Sequence, residues 1–214
     1  MRAPVIQFDG TMTPMLRLAR GKGKHQRDVV GLIDDAAAWL RHMDTNQWEK
    51  PWPNREERDD RVRRGLDGGK TWIVWDDSTH VIAATVTIAK RPNLKVWPVS
   101  ACLSSEPAVY VHRLITRRSH AGWGIGAELI DWAGLRAAEQ FSAKWIRIDV
   151  WTSNQALHEY YEKRGFEYYG ACTDTGYPSG ALFQKPVSEI EMRDTPLLLQ
   201  PADVTLKLFS GNMA

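Results

Sequence analysis

Cysteine is scarce: only Cys102 and Cys172 occur in 214 residues. They are too few and too far apart to frame a small disulfide scaffold or a zinc site, both of which need closely spaced ligands. No metal is expected, and the two thiols fit a reduced, cytoplasmic protein. Long apolar runs are missing too. The longest uncharged apolar stretch, 81–89, falls far short of the ~20 residues a membrane span needs, and the first ten residues lack the apolar run of a signal peptide. Neither a membrane nor export is expected. Charge of one sign is not in excess either: 28 basic against 26 acidic side chains leave +2, so bulk charge demands no nucleic acid and no anionic surface as partner. What remains is ordinary globular usage, 43% hydrophobic and 25% charged, enough for one domain with a few tens of residues to spare. Tryptophan is the outlier at ten copies, available either to the core or to the wall of a ligand pocket.

Pattern divides the chain. Residues 1–14 carry no clear period and read as an extension; 15–187 read as the domain, and 188–214 as a C-terminal extension whose apolar Leu197-Leu198-Leu199 and 204–209 runs pack on the domain or on a second subunit. Within the domain a short strand at 15–20 is followed by a helix at 28–43, where Val29, Leu32, Ile33, Ala36, Ala37 and Leu40 recur at three and four residues. A second, heavily charged helix follows at 55–66. The period then changes: 71–75 and 81–88 are β-branched and aromatic around an Asp-Asp-Ser-Thr turn, which is hairpin chemistry. After a proline-bearing loop come a strand at 109–116, a helix at 125–141, a strand at 145–151, a helix at 154–164 and strands near 166–172 and 180–185. A meander followed by a β-α-β-α-β run predicts an α/β fold with a mixed sheet whose crossover is parallel and right-handed.

The segment Ala121-Gly122-Trp123-Gly124-Ile125-Gly126-Ala127 lies between that strand and that helix. Glycines there let the backbone turn and approach where a Cβ would interfere, and free N–H groups at a helix N-terminus favour a phosphate. Arg117 and Arg118 add positive charge just upstream. Gly122-x-Gly124-x-x-Ala127 also satisfies the dinucleotide fingerprint, with Asp149 as a ribose ligand, which would make the protein an NAD(P)-dependent oxidoreductase. Against that, five residues separate the strand from the first glycine, and a single β-α-β unit is too little for two nucleotide halves.

A second block narrows the choice: Asn154, then Tyr161, then Gly165-Phe166 closing the helix. Together, Leu114-x-Thr116, Gly122-x-Gly124-x-Gly126 and this block resemble the GNAT superfamily of N-acetyltransferases, in the right order and at about the right separation. The resemblance runs more loosely from Leu16 to Gln184. It implies a central, mostly antiparallel sheet with a splayed parallel pair, and acetyl-CoA as the acyl donor. By resemblance Leu114, Ile115 and Thr116 hold the pantetheine arm and one main-chain N–H polarises the thioester carbonyl, while the charge of Arg117 falls where the pyrophosphate would sit. Gly122, Trp123, Gly124, Ile125, Gly126 and Ala127 hold the pyrophosphate, and Tyr161 lies at the CoA sulfur as general acid. Asn154 either binds the pantetheine arm or caps its helix; Thr152-x-x-Gln155 offers an alternative cap. One departure stands at Ala121, where the family has glutamine or arginine.

Such an enzyme transfers the acyl group of an acyl-CoA, acetyl-CoA in the first instance, directly to the primary amine of a small molecule, with no need for either cysteine. The amine must first lose a proton. His112, on the acyl-binding strand, is the first candidate base and Glu106 the second; a structural histidine is the competing reading. Trp39, Trp48 and Trp52, in the connection between the first two helices that in the resembled family borders the acceptor site, are candidates for the acceptor wall. Between Asp34 and Asp60 acidic residues outnumber basic ones two to one, serving either a solvated helix face or a cationic acceptor. The rivals from other classes are a non-catalytic CoA-binding module and an acyltransferase fed by a carrier protein.

Overall fold

The computed structural model describes residues 16–97, 106–172 and 176–191, together with the backbone of three two-residue strands, Gln7–Phe8 (β1), Thr11–Met12 (β2) and Leu198–Leu199 (β10). β1 and β2 pair only with each other. The main elements are β3 (Leu16–Arg20), α1 (Gln26–Leu40), α2 (Arg55–Asp67), β4 (Thr71–Asp76), β5 (Val81–Ala89), β6 (Ala108–Thr116), α3 (Ile125–Phe141), β7 (Trp145–Val150), α4 (Gln155–Glu162), β8 (Glu167–Ala171) and β9 (Ala181–Pro186). They form one mixed sheet in the order β10-β3-β4-β5-β6-β7-β9-β8. Every pairing from β3 to β8 is antiparallel except β6–β7, joined through α3, and β10 adds to β3 in parallel by pairing Leu198–Leu199 with Leu16–Arg17. Cys102 and the rest of the tail lie outside the described residues.

The sheet is covered on both faces, which is why β4 and β5 read as nearly continuous apolar runs. Trp72 and Val74 point into a core with Leu129, Ile130, Trp132 and Ala133 of α3, and the Trp72 and Trp132 rings meet edge to face at 4.8 Å. Their neighbour Ile73 points the other way, into a second core with Val29, Leu32 and Ile33 of α1 and Val62 and Leu66 of α2. α1 ends at Leu40, three residues before the boundary its apolar period predicts, so the connection to α2 is longer. α2 shows so little apolar surface because only Val62, Gly65 and Leu66 are buried; Asn54 caps it, accepting from the Glu57 N–H at 2.9 Å. No described helix is long and apolar enough to cross a membrane.

The register changes once between β5 and β6. The pairing steps from Thr85↔Ile115 to Thr87↔His112, so three residues of β6 span two of β5. Arg113 takes φ +49° at this bulge. The simple alternation expected for 109–116 therefore breaks, and Val111, His112, Arg113 and Leu114 all reach one cavity.

The hairpin turn after β4 is tied to the segment preceding α3. Asp76 accepts from the Ser78 N–H at 2.9 Å and the Ser78 hydroxyl at 2.5 Å, and its other oxygen lies 3.1 Å from Nε2 of buried His120. Burial alone would raise this carboxyl; the bonds from Ser78, His120 and Thr79 outweigh it and hold the group well below the usual carboxylate range. A depressed carboxyl contributes stability that is complete above its unfolded value, near about 3.9, and lost as pH falls toward the folded value. The unfolding free energy should therefore drop as the pH falls below about 4, and Asp76→Asn should flatten that drop. Urea melts of both proteins across this range test it; equal acid slopes would contradict it.

Candidate functional site

The parallel ladder between β6 and β7 runs from Ala108↔Trp145 to Val111↔Ile148 and stops. Beyond it β6 continues to Thr116 and β7 to Val150 without pairing to each other, so the two strands part. A cavity of about 320 Å³ opens at this point. Its walls come from 111–114 of β6, from Ile148, Asp149 and Val150 of β7, from Leu157 and Tyr161 of α4, from α2, from the α1–α2 connection and from the loop carrying Tyr177. A second cavity, about 500 Å³, lies at the other end of β4 and β5 among Arg20, Lys70, Lys90, Arg91 and Arg136. Among its described lining residues there is no histidine, tyrosine or carboxylate, and so no group suited to proton transfer near neutral pH.

The first cavity does have such groups. His112 Nδ1 sits 3.1 Å from Asp149 Oδ1, an ion-pair contact whose alignment falls short of a full hydrogen bond, and the Tyr177 hydroxyl donates to Asp149 Oδ2 at 2.8 Å. Burial would raise the Asp149 carboxyl, but the charge of His112 and the contacts from His112 and Tyr177 hold it below its ordinary value. Asp149 therefore stays ionised and favours a proton on His112 Nδ1, so that in the neutral tautomer Nε2 is the accepting nitrogen. Tyr161 is buried, and burial pushes its hydroxyl above the ordinary tyrosine range, so it stays protonated and able to donate.

The α1–α2 connection is docked as a roof. Asn46 accepts from Trp151 Nε1 at 2.7 Å and from the Ser153 hydroxyl at 2.6 Å, while Trp52 Nε1 donates to the Gly176 carbonyl at 3.0 Å and its ring meets Tyr177 edge to face. Asn154 proves to be the cap of α4: its Oδ1 accepts from the Leu157 N–H at 3.0 Å, and its Nδ2 donates to Gln47 of the roof at 2.6 Å. Thr152 is used otherwise, bonding to Pro178 and Gly180.

Next to the parted strands, the glycine segment turns sharply. Gly122 and Gly124 adopt φ +84° and +83°, the left-handed region that disfavours a Cβ, and Gly124 is the N-cap of α3. A glycine N-cap has no side chain to offer, so the N–H groups of the first turn are available to an external acceptor. Thr116 lies alongside Gly126. The arrangement fits a diphosphate-bearing group with an extended arm: a donor-rich turn for the anion and, from 112 to 116, a length of main chain with no strand partner toward β7.

The family model described as Acetyltransferase (GNAT) family matches residues 36–166, which takes in the glycine turn and the cavity walls apart from Ile33 and 177–179. The chain belongs to the GNAT acetyltransferase family. It is also similar to a Bacillus subtilis protein described as uncharacterized N-acetyltransferase YesJ, 29% identical over 162 residues that cover 75% of this chain and 84% of that one. Among solved structures it resembles a GNAT-family acetyltransferase from Listeria monocytogenes, with a TM-score of 0.63 at 21% identity, covering 86% of this chain and 99% of the other. It also resembles the PaiA N-acetyltransferase of Thermoplasma acidophilum solved with coenzyme A, with a TM-score of 0.57 at 13% identity over 80% and 98%. The mixed sheet with its splayed pair is the GNAT fold, and the chain is an N-acetyltransferase of the acyl-CoA-dependent type.

Within this GNAT domain the residues singled out by sequence fall in different places. His112, Leu114, Tyr161, Trp48 and Trp52 line the cavity. Ile115 is buried in the α1–α2 core. Arg117 donates to the Ile82 carbonyl at 2.7 Å and lies 3.4 Å from Asp35, so its charge is spent on β5 and α1, and Trp123 packs on His120. Two residues are corrected. Trp39 is not in the connection: it occupies the last turn of α1, with the Arg118 guanidinium 4.1 Å above its ring, and does not line the cavity. Glu106 stands before the opposite end of β6, accepting from Trp145 Nε1 at 2.6 Å, a strand length from the splay. The described cysteine, Cys172, donates to the Lys95 carbonyl and does not line the cavity. Among the described residues no cluster of three potential ligands could hold a metal. Sequence reasoning missed Asp149 as the partner of His112, although an acid alternating with Ile146 and Ile148 on a core strand is itself a signal. It missed Tyr177, in a glycine- and proline-bearing loop, for which no signal existed.

Proposed function

We propose that this protein transfers an acetyl group from acetyl-CoA directly to the primary amine of a small molecule, in the cytoplasm. The observation that carries the proposal is the placement of a carboxylate-backed histidine and a buried, protonated tyrosine in one cavity at the parted ends of β6 and β7. When bound, coenzyme A supplies the acyl group as a thioester already activated toward amines.

The chain's own groups do the rest. Main-chain N–H groups of the glycine turn and the first turn of α3 grip the diphosphate. The unpaired main chain of 112–116 holds the pantetheine arm, and one of its N–H groups points at the carbonyl oxygen, a fixed donor for developing negative charge. His112 Nε2 removes the proton from the amine, and Asp149 keeps the imidazole in the accepting tautomer and stabilises it once charged. Tyr161 hands its proton to the departing sulfur. No covalent acyl-enzyme is formed and neither cysteine takes part.

Thiol release from acetyl-CoA across a panel of primary amines tests the proposal. Tyr161→Phe should lower kcat by about ten- to a hundredfold while CoA affinity changes little. The loss is modest because a thiolate, with a thiol pKa near about 8.5, is a fair leaving group even without an acid. Unchanged kcat would remove Tyr161 from the reaction, and coenzyme binding with no turnover of any amine would favour a non-catalytic CoA-binding module.

A further inference from the structure

The charge on the cavity wall is the reverse of what the 34–60 segment suggests. Four of its eight acids pair with arginines: Asp34 with Arg55 and Arg58, Asp59 with Arg58, Asp60 with Arg63 and Arg64, and Asp35 with Arg117. None of them lines the cavity, whose lone described carboxylate, Asp149, is already shared by His112 and Tyr177. The cations on the same wall are Lys50, Arg58, Arg61 and Arg113. Arg58 is neutralised by Asp34 at 2.5 Å and Asp59 at 2.7 Å; Arg61 and Arg113 are not.

Arg61 projects from α2 beneath the roof. One Nη donates to the Trp52 carbonyl, the guanidinium lies 5.0 Å from the Trp52 ring centroid, and Nε is buried with no hydrogen-bond partner. Arg113 leaves the bulge of β6 toward the same helix, with Nη1 against Gly65. It makes no hydrogen bond or ion pair with any described residue. Burial and the positive charge of Arg61 pull its pKa down to about 10, so the two guanidiniums repel each other across a poorly solvated space. Two arginine forks, without a carboxylate of their own and beside the proposed base, form a receptor for a planar or tetrahedral oxyanion.

We propose that the acceptor is a primary amine that also carries an anionic group, a carboxylate or a phosphonate, which Arg61 and Arg113 bind while His112 faces the amine. The inference rests on the acyl-transfer reading and narrows its substrate class. Binding the anion on the α2 side fixes which end of the acceptor meets the thioester, and it supplies the buried Arg61 Nε–H with the acceptor it lacks. A cationic polyamine would meet two unpaired arginines instead. Lys50, exposed at the rim, adds attraction for an entering anion.

Matched sets test this: amino acids, their carboxamides, their decarboxylated amines and the corresponding aminoalkylphosphonates, each assayed by thiol release with saturating acetyl-CoA. The acidic members should exceed their uncharged counterparts by roughly a hundredfold or more in kcat/KM, because an unpaired arginine site rejects analogues that lack the anion. Comparing carboxylate with phosphonate members identifies which anion fits. In Arg61→Gln that ratio should collapse toward one, chiefly through KM, while calorimetry shows the coenzyme still bound. Amides or simple amines that match or beat the acids would overturn the anionic subsite and leave the acyl-transfer reading standing, as would coenzyme binding without turnover of any acidic member. Failure of acetyl-CoA itself to bind would instead overturn the reading on which the subsite rests.

Discussion

His112→Ala is expected to lower kcat by about 10²–10⁴-fold, the range a positioned general base supplies, with coenzyme affinity nearly unchanged. The physical reason is specific to the site. A primary amine enters as an ammonium ion and cannot attack until a proton leaves, and His112 is the one imidazole among the described cavity residues. Asp149→Asn should be nearly as damaging although Asp149 need not touch the acceptor. An amide can donate to Nδ1 and so place the imidazole proton on Nε2, where the lone pair is required. Because the two act as a unit, the double variant should be scarcely slower than the worse single one. Steady-state kinetics of the three variants at saturating acetyl-CoA check this; multiplicative losses would show that Asp149 acts elsewhere.

The second large effect is expected at the glycine turn. Gly124 holds φ +83° at the N-cap of α3, a conformation that costs a β-branched residue about 1–3 kcal/mol. Gly124→Val should move the turn into the extended region and rotate away the N–H groups that converge on the anion. Losing two charge-assisted contacts of about 1.5–3 kcal/mol each corresponds to a loss in coenzyme affinity of roughly a hundredfold or more. Gly124→Ala should lie between the two, since its strain is smaller. Circular dichroism separates this from unfolding, because the helix is anchored by Ile125, Leu129, Ile130 and Trp132 in the main core. Equal affinity in Gly124→Val would place the diphosphate elsewhere.

Much of this molecule can be read from local pattern. The period of 28–43 announces α1, though it overshoots the end at Leu40, the β-branched runs announce the β4–β5 hairpin, and the glycines between a strand and a helix announce the crossover and its sharp turn. Tyr161 comes instead from the GNAT resemblance, carried by the asparagine seven residues before it and by Gly165-Phe166. The site's charge is another matter. An excess of acids along 34–60 does not reveal that Asp34 meets Arg55 and Arg58, because those ion pairs link α1 to α2 across the tertiary structure. The bulge at Arg113 is equally hidden: it depends on an extra residue opposite Thr85–Thr87, and without it Arg113 would face away from His112's neighbours. Glu106 illustrates the same gap, since nearness in sequence to β6 places it at the strand's other end. Asp149 and Tyr177 come together only because β7 and the loop before β9 converge beside His112.

The most direct test is calorimetric titration of the purified, folded protein with acetyl-CoA and with free coenzyme A. Saturable binding of one equivalent per chain, weakened in Gly124→Val and retained in His112→Ala, is the predicted result. A folded protein that binds neither compound would contradict the account.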